Sequence, residues 1–253
     1  MNNDDSTLLI HQNKRIEIDE TAAFHQAGYA AAIFLGNKQV KLPPVYFRIV
    51  INQADKFQIA SRSDDRVKSE YTAKIEGGRL IQSLPLAFAD ATRHFSESQK
   101  AQYRYAIDAD VINLLVGPLA EAKYVALRDN EAFTANLVNT SSLYYYNGTK
   151  ALETISEYME CFSPHKAERE QNLNRLFLNA FNFVDAQSNW QAITRLAEFI
   201  RSANRPIISS EDVFSLIESQ TVETNAPVYL ELPKTRSSTV DSLLPRSAKT
   251  KTA

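Results

Sequence analysis

The residues best suited to chemistry lie in one short, alanine-rich stretch near the N-terminus. His25 is followed directly by Gln26, and Tyr29 stands four positions after His25. In a helix, positions four apart share a face, so His25 and Tyr29 would be neighbours there. Histidine can bind a metal or carry a proton near neutral pH, whereas glutamine has no titratable group and tyrosine, with a pKa near ~10, stays neutral. Of the three, only His25 is a candidate for metal binding or acid–base catalysis.

A helix must position these residues, and the sequence predicts one that begins at Asp19. The Asp19 side chain can cap the helix, and the acidic Glu20 suits its first turn. The alanines that follow favour helix and permit close packing against a neighbour. Gly36 is the expected end of this helix.

A small sheet is predicted next. The run 45–51 is rich in β-branched and aromatic residues, which is typical of a strand. The segments 57–59 and 71–75 are its expected partners, and Gly77-Gly78 closes the sheet region.

Helices dominate from Ser96 onward. Ser96 and Gln99 can form a capping box at the start of the next helix. Because proline costs ~3 kcal/mol inside a helix, a break or kink is expected at Gly117-Pro118, with a separate helix over 119–126. Residues 128–148 are expected to form a loop or insertion. Further helices are predicted over 149–162, from Ser163-Pro164 to about 185, after Ser188, and after 209–212.

These elements predict a mainly α fold with a small β-sheet in the N-terminal third of the chain. We expect an N-terminal segment at 1–18, a helical domain at 19–222 and a disordered, basic, Ser/Thr-rich tail at 223–253. The alternative for the tail is a weak docking arm. From Pro233 to Ala253 it has five basic residues and one acidic residue.

Composition limits the classes of function. The 253 residues include 28 Lys+Arg and 30 Asp+Glu, a net charge of −2, which gives no global reason to expect nucleic acid or an anionic membrane as a partner. The single cysteine, Cys161, cannot form an internal disulfide and is expected to be a structural thiol in a reducing compartment. The start lacks the order of a signal peptide, so the protein is expected to be cytoplasmic.

Several segments together resemble the peptidase domain of the FtsH family of zinc metalloproteases. The stretch His25-Gln26-Ala27-Gly28-Tyr29 resembles the H-E-A-G-H helix of that family, and 114–122 resembles its L-A-G-x-x-A-E helix. The segments 190–197 and 208–213 resemble the closing helices of small relatives that lack an ATPase domain. The resemblance covers about residues 19–219 and implies an FtsH peptidase-like helical fold.

The same resemblance implies that the catalytic groups have been lost. In the family, two histidines at i and i+4 bind zinc and the glutamate activates water. Here His25 matches the first histidine, but Gln26 replaces the glutamate and Tyr29 replaces the second histidine. The third family ligand is an aspartate before the helix that corresponds to 149–162, and Tyr146-Asn147-Gly148 contains no carboxylate.

The resemblance therefore predicts a pseudoprotease that binds protein or acts as a scaffold. No cofactor, no membrane span and no ATPase module are expected. Glu121 retains a family glutamate that is a packing and network residue, and Tyr29 is expected to fill the former metal space and to hydrogen-bond His25. The neighbourhood of the vestigial site comprises His25, Gln26, Tyr29 and Glu121.

Two other functions stay open at this point. One is a zinc-dependent metallopeptidase whose site is rebuilt around His25 from distant residues, although His11, His94 and His165 show no ligand spacing. The other is a plain helical interaction protein unrelated to peptidases.

Overall fold

The computed structural model describes residues 18–53 and 71–221, and these residues form a mainly α-helical fold with one small sheet. The predicted fold class is confirmed. The predicted strand at 57–59 and the predicted tail at 223–253 lie outside the described residues, as does the N-terminal segment except for Ile18.

The first helix, α1 (Glu20–Ala31), begins where the sequence predicts. The Asp19 side chain accepts a hydrogen bond from the backbone N–H of Thr21 at 3.3 Å and so caps the helix. The alanines of α1 are buried. Their small side chains allow another helix to pack closely against α1.

The predicted end of this helix at Gly36 is wrong. The chain continues through a π-helical turn (Ala32–Gly36) into a short helix, α2 (Asn37–Gln39). Gly36 keeps right-handed helical dihedral angles, φ −62° and ψ −49°, so it does not use the freedom by which glycine ends helices. The positive φ that follows is at Lys41, 58°.

The sheet has three antiparallel strands, β1 (Phe47–Gln53), β2 (Tyr71–Gly77) and β3 (Ile207–Ser209), in the order β2-β1-β3. Ile49 of the central strand lies opposite Ile75 on one side and Ile208 on the other. The sequence predicts β1 and β2 but not β3, because three residues between two helices give no alternating pattern.

The longest helix, α4 (Glu97–Arg128), follows the short helix α3 (Phe88–Ala91). The predicted capping box at its start is confirmed, since the Ser96 N–H donates to Gln99 Oε1 at 2.9 Å and the Gln99 N–H donates to Ser96 Oγ at 3.3 Å.

The predicted break at Gly117-Pro118 is wrong, because α4 runs through Pro118. Proline removes one backbone donor, but the residues around it are fully buried against other elements. Leu115, Val116 and Leu119 each have 0% of their surface exposed. Tertiary packing therefore offsets the local cost of proline.

The remaining helices agree with the sequence prediction in type and approximate bounds. These helices are α5 (Thr149–Phe162), α6 (Lys166–Asp185), α7 (Gln187–Ser202) and α8 (Ser210–Thr221). The predicted loop at 128–148 contains a 3₁₀ helix, Thr140–Tyr146. None of the helices in the described part of the chain is long and apolar enough to span a lipid bilayer.

Helices α1 and α4 form the antiparallel pair at the centre of the core. Near one end of α1, Glu20 accepts a hydrogen bond from Tyr124, and beyond the other end Asn37 accepts one from Asn113. Between them Gly28 allows very close approach, because a Cβ added there would lie 2.5 Å from Ala120 Cβ. This crossing fixes the residues of α1 against α4.

A buried lysine joins α4 to α6. Lys123 Nζ donates to the backbone oxygen of Val184 and to Asp185 Oδ1, both at 3.1 Å, and lies 5.0 Å from the centre of the Trp190 ring. Because α6 ends at Asp185, this ammonium group neutralises the partial negative charge at the C-terminus of α6.

Candidate functional site

The candidate site begins with a contact between α1 and α4. His25 Nδ1 lies 3.0 Å from Glu121 Oε2, and the two side chains are 13% and 5% exposed. The antiparallel crossing of the helices brings these residues together. A carboxylate bound to one ring nitrogen fixes the orientation of the imidazole.

The other oxygen of Glu121 has its own partner. Asn147 Nδ2 donates to Glu121 Oε1 at 2.7 Å. Asn147 ends the 3₁₀ helix with a left-handed φ of 53°, and a Cβ added at the next residue, Gly148, would lie 2.4 Å from the Leu143 backbone oxygen. This turn places Asn147 against Glu121, so three separate parts of the chain meet in one hydrogen-bonded series.

The remaining edge of the His25 ring lies against the backbone of α4. A Cβ added at Gly117 would lie 3.0 Å from His25 Nε2 and 3.1 Å from His25 Cδ2. An alanine at position 117 would therefore require the imidazole to shift by a few tenths of an ångström. His25 is held between the Glu121 carboxylate and Gly117.

Gln26 points towards the sheet. Gln26 Oε1 accepts a hydrogen bond from the backbone N–H of Ile75 at 2.9 Å. Gly78 N donates to Tyr46 O, so the pair 46/78 is hydrogen-bonded within the ladder and the pair formed by Ile49 and Ile75 is not. The N–H of Ile75 consequently points away from β1, and Gln26 binds the outer edge of β2.

Tyr29 lies in a different environment from the one that the sequence predicts. Among the described residues, no hydrogen bond joins Tyr29 to His25, whose ring nitrogen binds Glu121 instead. Burial raises the pKa of the Tyr29 phenol well above its ordinary value, and the negative charge of Asp110 raises it further. Tyr29 stays protonated at neutral pH and is unsuited to ligate zinc.

Asp110, which the sequence does not single out, forms a second buried polar centre next to Tyr29. Only 1% of its surface is exposed. It accepts hydrogen bonds from the backbone N–H groups of Leu80 (2.8 Å) and Ile81 (2.9 Å) and from the Tyr158 hydroxyl (2.7 Å). Burial raises the pKa of Asp110, although these hydrogen bonds oppose the shift. Asp110 ties the segment after β2 to α4 and α5.

No set of three or more His, Cys, Asp or Glu side chains suited to a metal ion occurs within 18–53 and 71–221. His94 and His165 are described, and neither belongs to such a set. Cys161 is a free, buried thiol whose pKa is raised by burial, which is typical of a structural cysteine.

The structure therefore brings together only some of the predicted site residues. His25 and Glu121 are in direct contact, while Gln26 binds the sheet and Tyr29 lies near Asp110. The resemblance marks Asn147 as lying in a segment, 146–148, that lacks the expected carboxylate. The Asn147 amide lies at the site, because the end of the 3₁₀ helix places it against Glu121.

No family model matches the chain, and no match was found among curated proteins or solved structures. Similarity therefore assigns neither a family nor a function, and the resemblance to FtsH-type peptidases is limited to the sequence motifs.

Proposed function

We propose that this chain is a non-catalytic, FtsH peptidase-like protein that binds an extended segment of another protein along the outer edge of β2, beside α1. The observation that carries the proposal is the hydrogen bond from the Ile75 N–H to Gln26 Oε1. Gln26 stands where the H-E-A-G-H helix of the FtsH family has its catalytic glutamate. Here its side chain is a neutral hydrogen-bond acceptor at the edge of the sheet.

The hydrogen bonds of the site favour a structural role for these residues over a role in peptide hydrolysis. A catalytic zinc needs about three protein ligands and an open position for water. His25 is bound to Glu121, and the Glu121 carboxylate is shared with Asn147. Gln26 cannot take a proton from water, because a carboxamide does not titrate in the physiological range. The proposal accordingly assigns no zinc and no other cofactor to this site.

Binding of a protein segment at the outer edge of β2 requires the groups that cover this edge to move, because Ala73 and Ile75 are only 4% and 8% exposed. Within the described part of the chain, β2 pairs only with β1, on its inner side. Alternation along the strand directs the backbone groups of Ala73, Ile75 and Gly77 to the outer side. An extended peptide can add to such an edge through backbone hydrogen bonds.

The partner in this proposal is a protein, not a nucleic acid, in keeping with the near-neutral charge of the chain. The proposed compartment is the cytoplasm, since Cys161 is the only cysteine and is a free thiol.

A displayed library of linear peptides tests the proposal. We expect the full chain to select peptides, and we expect synthetic versions methylated on alternate backbone nitrogens to lose at least about tenfold in affinity, because each methyl removes a donor. Selection of no peptide, or equal binding of the methylated peptides, would overturn the proposal.

A variant of the edge provides the complementary test. Ala73→Pro removes one outward N–H at an edge where proline is compatible with a strand. We expect it to weaken binding of the selected peptide, whereas Lys74→Ala, on the exposed face of β2, should leave binding unchanged. Circular dichroism of both variants verifies the fold, and full binding by a folded Ala73→Pro would place the peptide elsewhere.

One observation favours the second candidate, a zinc metallopeptidase rebuilt around His25. Carboxylates commonly orient metal-binding histidines, and Glu121 contacts His25 in that manner. If the site is inactive as proposed, the double variant Gln26→Glu with Tyr29→His should still lack peptidase activity, because Asn147 offers no carboxylate. Chelator-sensitive cleavage of a peptide by either protein would favour the enzyme.

A further inference from the structure

We propose that a pocket between α2 and α8 binds a small neutral molecule that carries one aromatic ring and one carbonyl oxygen. The pocket has a volume of about 180 Å³. Its described lining comes from the π-helical turn, α2, the segment 42–45 and α8. The site is therefore distinct from the edge of β2 and goes beyond the proposed function.

The size and the walls of the pocket fit one ring. An apolar cavity of ~150 Å³ holds benzene, so this pocket has room for a ring with a small substituent. The Phe34 and Phe214 rings are stacked with their centroids 4.5 Å apart, and aromatic rings pack favourably against each other. Apolar side chains form most of the lining, namely Ile33, Phe34, Leu42, Pro44, Val45 and Phe214. An aromatic ring therefore complements the apolar part of the pocket.

A buried amide supplies the polar contact. Asn37 lines the pocket, and only 2% of its surface is exposed. Asn37 Oδ1 accepts a hydrogen bond from Asn113 Nδ2 at 3.4 Å, but Asn37 Nδ2 has no partner in the part of the chain that the structure describes. Because buried polar groups are normally hydrogen-bonded, this N–H group favours a ligand that brings an acceptor. A carbonyl oxygen is such an acceptor, and it adds no donor that the apolar walls would leave unpaired.

The charges at the pocket favour a neutral ligand over an ionic one. Lys38 and Glu218 both line the pocket, and Lys38 Nζ lies 3.0 Å from Glu218 Oε1. The two opposite charges neutralise each other. A charged ligand would be repelled by one member of this pair, whereas a ketone would not.

Two probes of the same shape test the proposal by NMR titration of the full chain. Acetophenone has the ring and the carbonyl, whereas 2-phenylpropene has a CH₂ group in place of the oxygen. We expect acetophenone to cause saturable shifts in the amide signals of Phe34, Lys38 and Phe214.

A substitution of the donor shows whether Asn37 recognises the carbonyl. In Asn37→Leu the affinity for acetophenone relative to 2-phenylpropene should fall about two- to tenfold, the range of one net hydrogen bond. Comparing this ratio between wild type and variant cancels the different hydration of the two probes. Asn174→Leu, at an exposed position of α6, makes the same substitution outside the pocket and should keep the wild-type ratio.

A second variant fills the pocket. Val45→Phe adds a larger side chain to the lining and should weaken binding of both probes at least about tenfold. Circular dichroism of each variant verifies the fold.

Four results would overturn the proposal. They are the absence of saturable shifts in the three amide signals, an unchanged affinity ratio in a folded Asn37→Leu, full binding by a folded Val45→Phe, and tighter binding of benzoate than of acetophenone. The first, third and fourth results decide the matter even if Asn37→Leu does not fold.

Discussion

His25 and Glu121 are 96 positions apart in the sequence, yet His25 Nδ1 and Glu121 Oε2 are separated by 3.0 Å. Glu121 also accepts a hydrogen bond from Asn147, so one buried carboxylate connects α1, α4 and the turn before α5. Glu121 therefore links these three elements, in agreement with the packing and network role predicted for it.

Removing this carboxylate should destabilise the fold. We expect Glu121→Ala to lower the free energy of unfolding by about 2–4 kcal/mol, because the partly buried His25 ring loses its hydrogen-bond partner and a small cavity forms. Urea unfolding followed by circular dichroism measures the change.

A matched substitution on α5 controls for the loss of a glutamate from a helix. Glu157→Ala, at an exposed position, should change stability by no more than about 0.5 kcal/mol. Equal effects of the two substitutions would show that Glu121 does not join the helices.

The crossing of α1 and α4 predicts a difference between two glycines. In Gly28→Ala the new Cβ would lie 2.9 Å from the Val116 backbone oxygen, so we expect a loss of about 2–4 kcal/mol in thermal or urea unfolding. In Gly117→Ala the nearest atoms belong to the His25 side chain, which can move.

Gly117→Ala should therefore cost less stability than Gly28→Ala, but it should shift the NMR signals of the His25 ring. If Gly28→Ala were as stable as the wild type, the close contact between the two helices would be refuted.

Asp110 predicts a particular pH dependence. Burial raises its pKa above the ordinary 3.8, so the folded protein binds this proton more tightly than the unfolded chain does. Lowering the pH from 7 towards 4 therefore favours folding through this group. Asp110→Asn lacks the group, so the stability difference between wild type and variant should grow as the pH falls.

At pH 7 we expect Asp110→Asn to be about 1–3 kcal/mol less stable, because one amide oxygen cannot accept hydrogen bonds from Leu80, Ile81 and Tyr158 together. Urea unfolding at several pH values measures both effects. A stability difference that shrinks at low pH would contradict the direction of the pKa shift.

Local signals in the sequence are sufficient to predict most of the helices. Asp19 and the Ser96–Gln99 box act over three residues, and the structure confirms both. The sequence fails where tertiary packing decides, as at Pro118, which stays inside α4 because its neighbours are buried. The short strand β3 likewise depends on pairing with β1, about 160 residues earlier.

For the candidate site, too, local sequence signals predict the residues but not their tertiary contacts. The motif identifies His25, Gln26, Tyr29 and Glu121, but the partners of these residues come from remote segments. Neither the turn that carries Asn147 nor the edge at Ile75 has a spacing pattern relative to α1. Residue types limit the chemistry, and the helix crossing determines which hydrogen bonds form.

Zinc content tests most directly whether this site is non-catalytic. The untagged full chain would be purified with zinc present, and its metal content measured by mass spectrometry before and after mild chelation. We predict less than about 0.1 equivalents of zinc, because His25 is held by Glu121 and residues 18–53 and 71–221 contain no set of three metal ligands. About one equivalent of zinc, lost on chelation and absent from His25→Ala, would contradict the proposal and indicate a metal site built around His25.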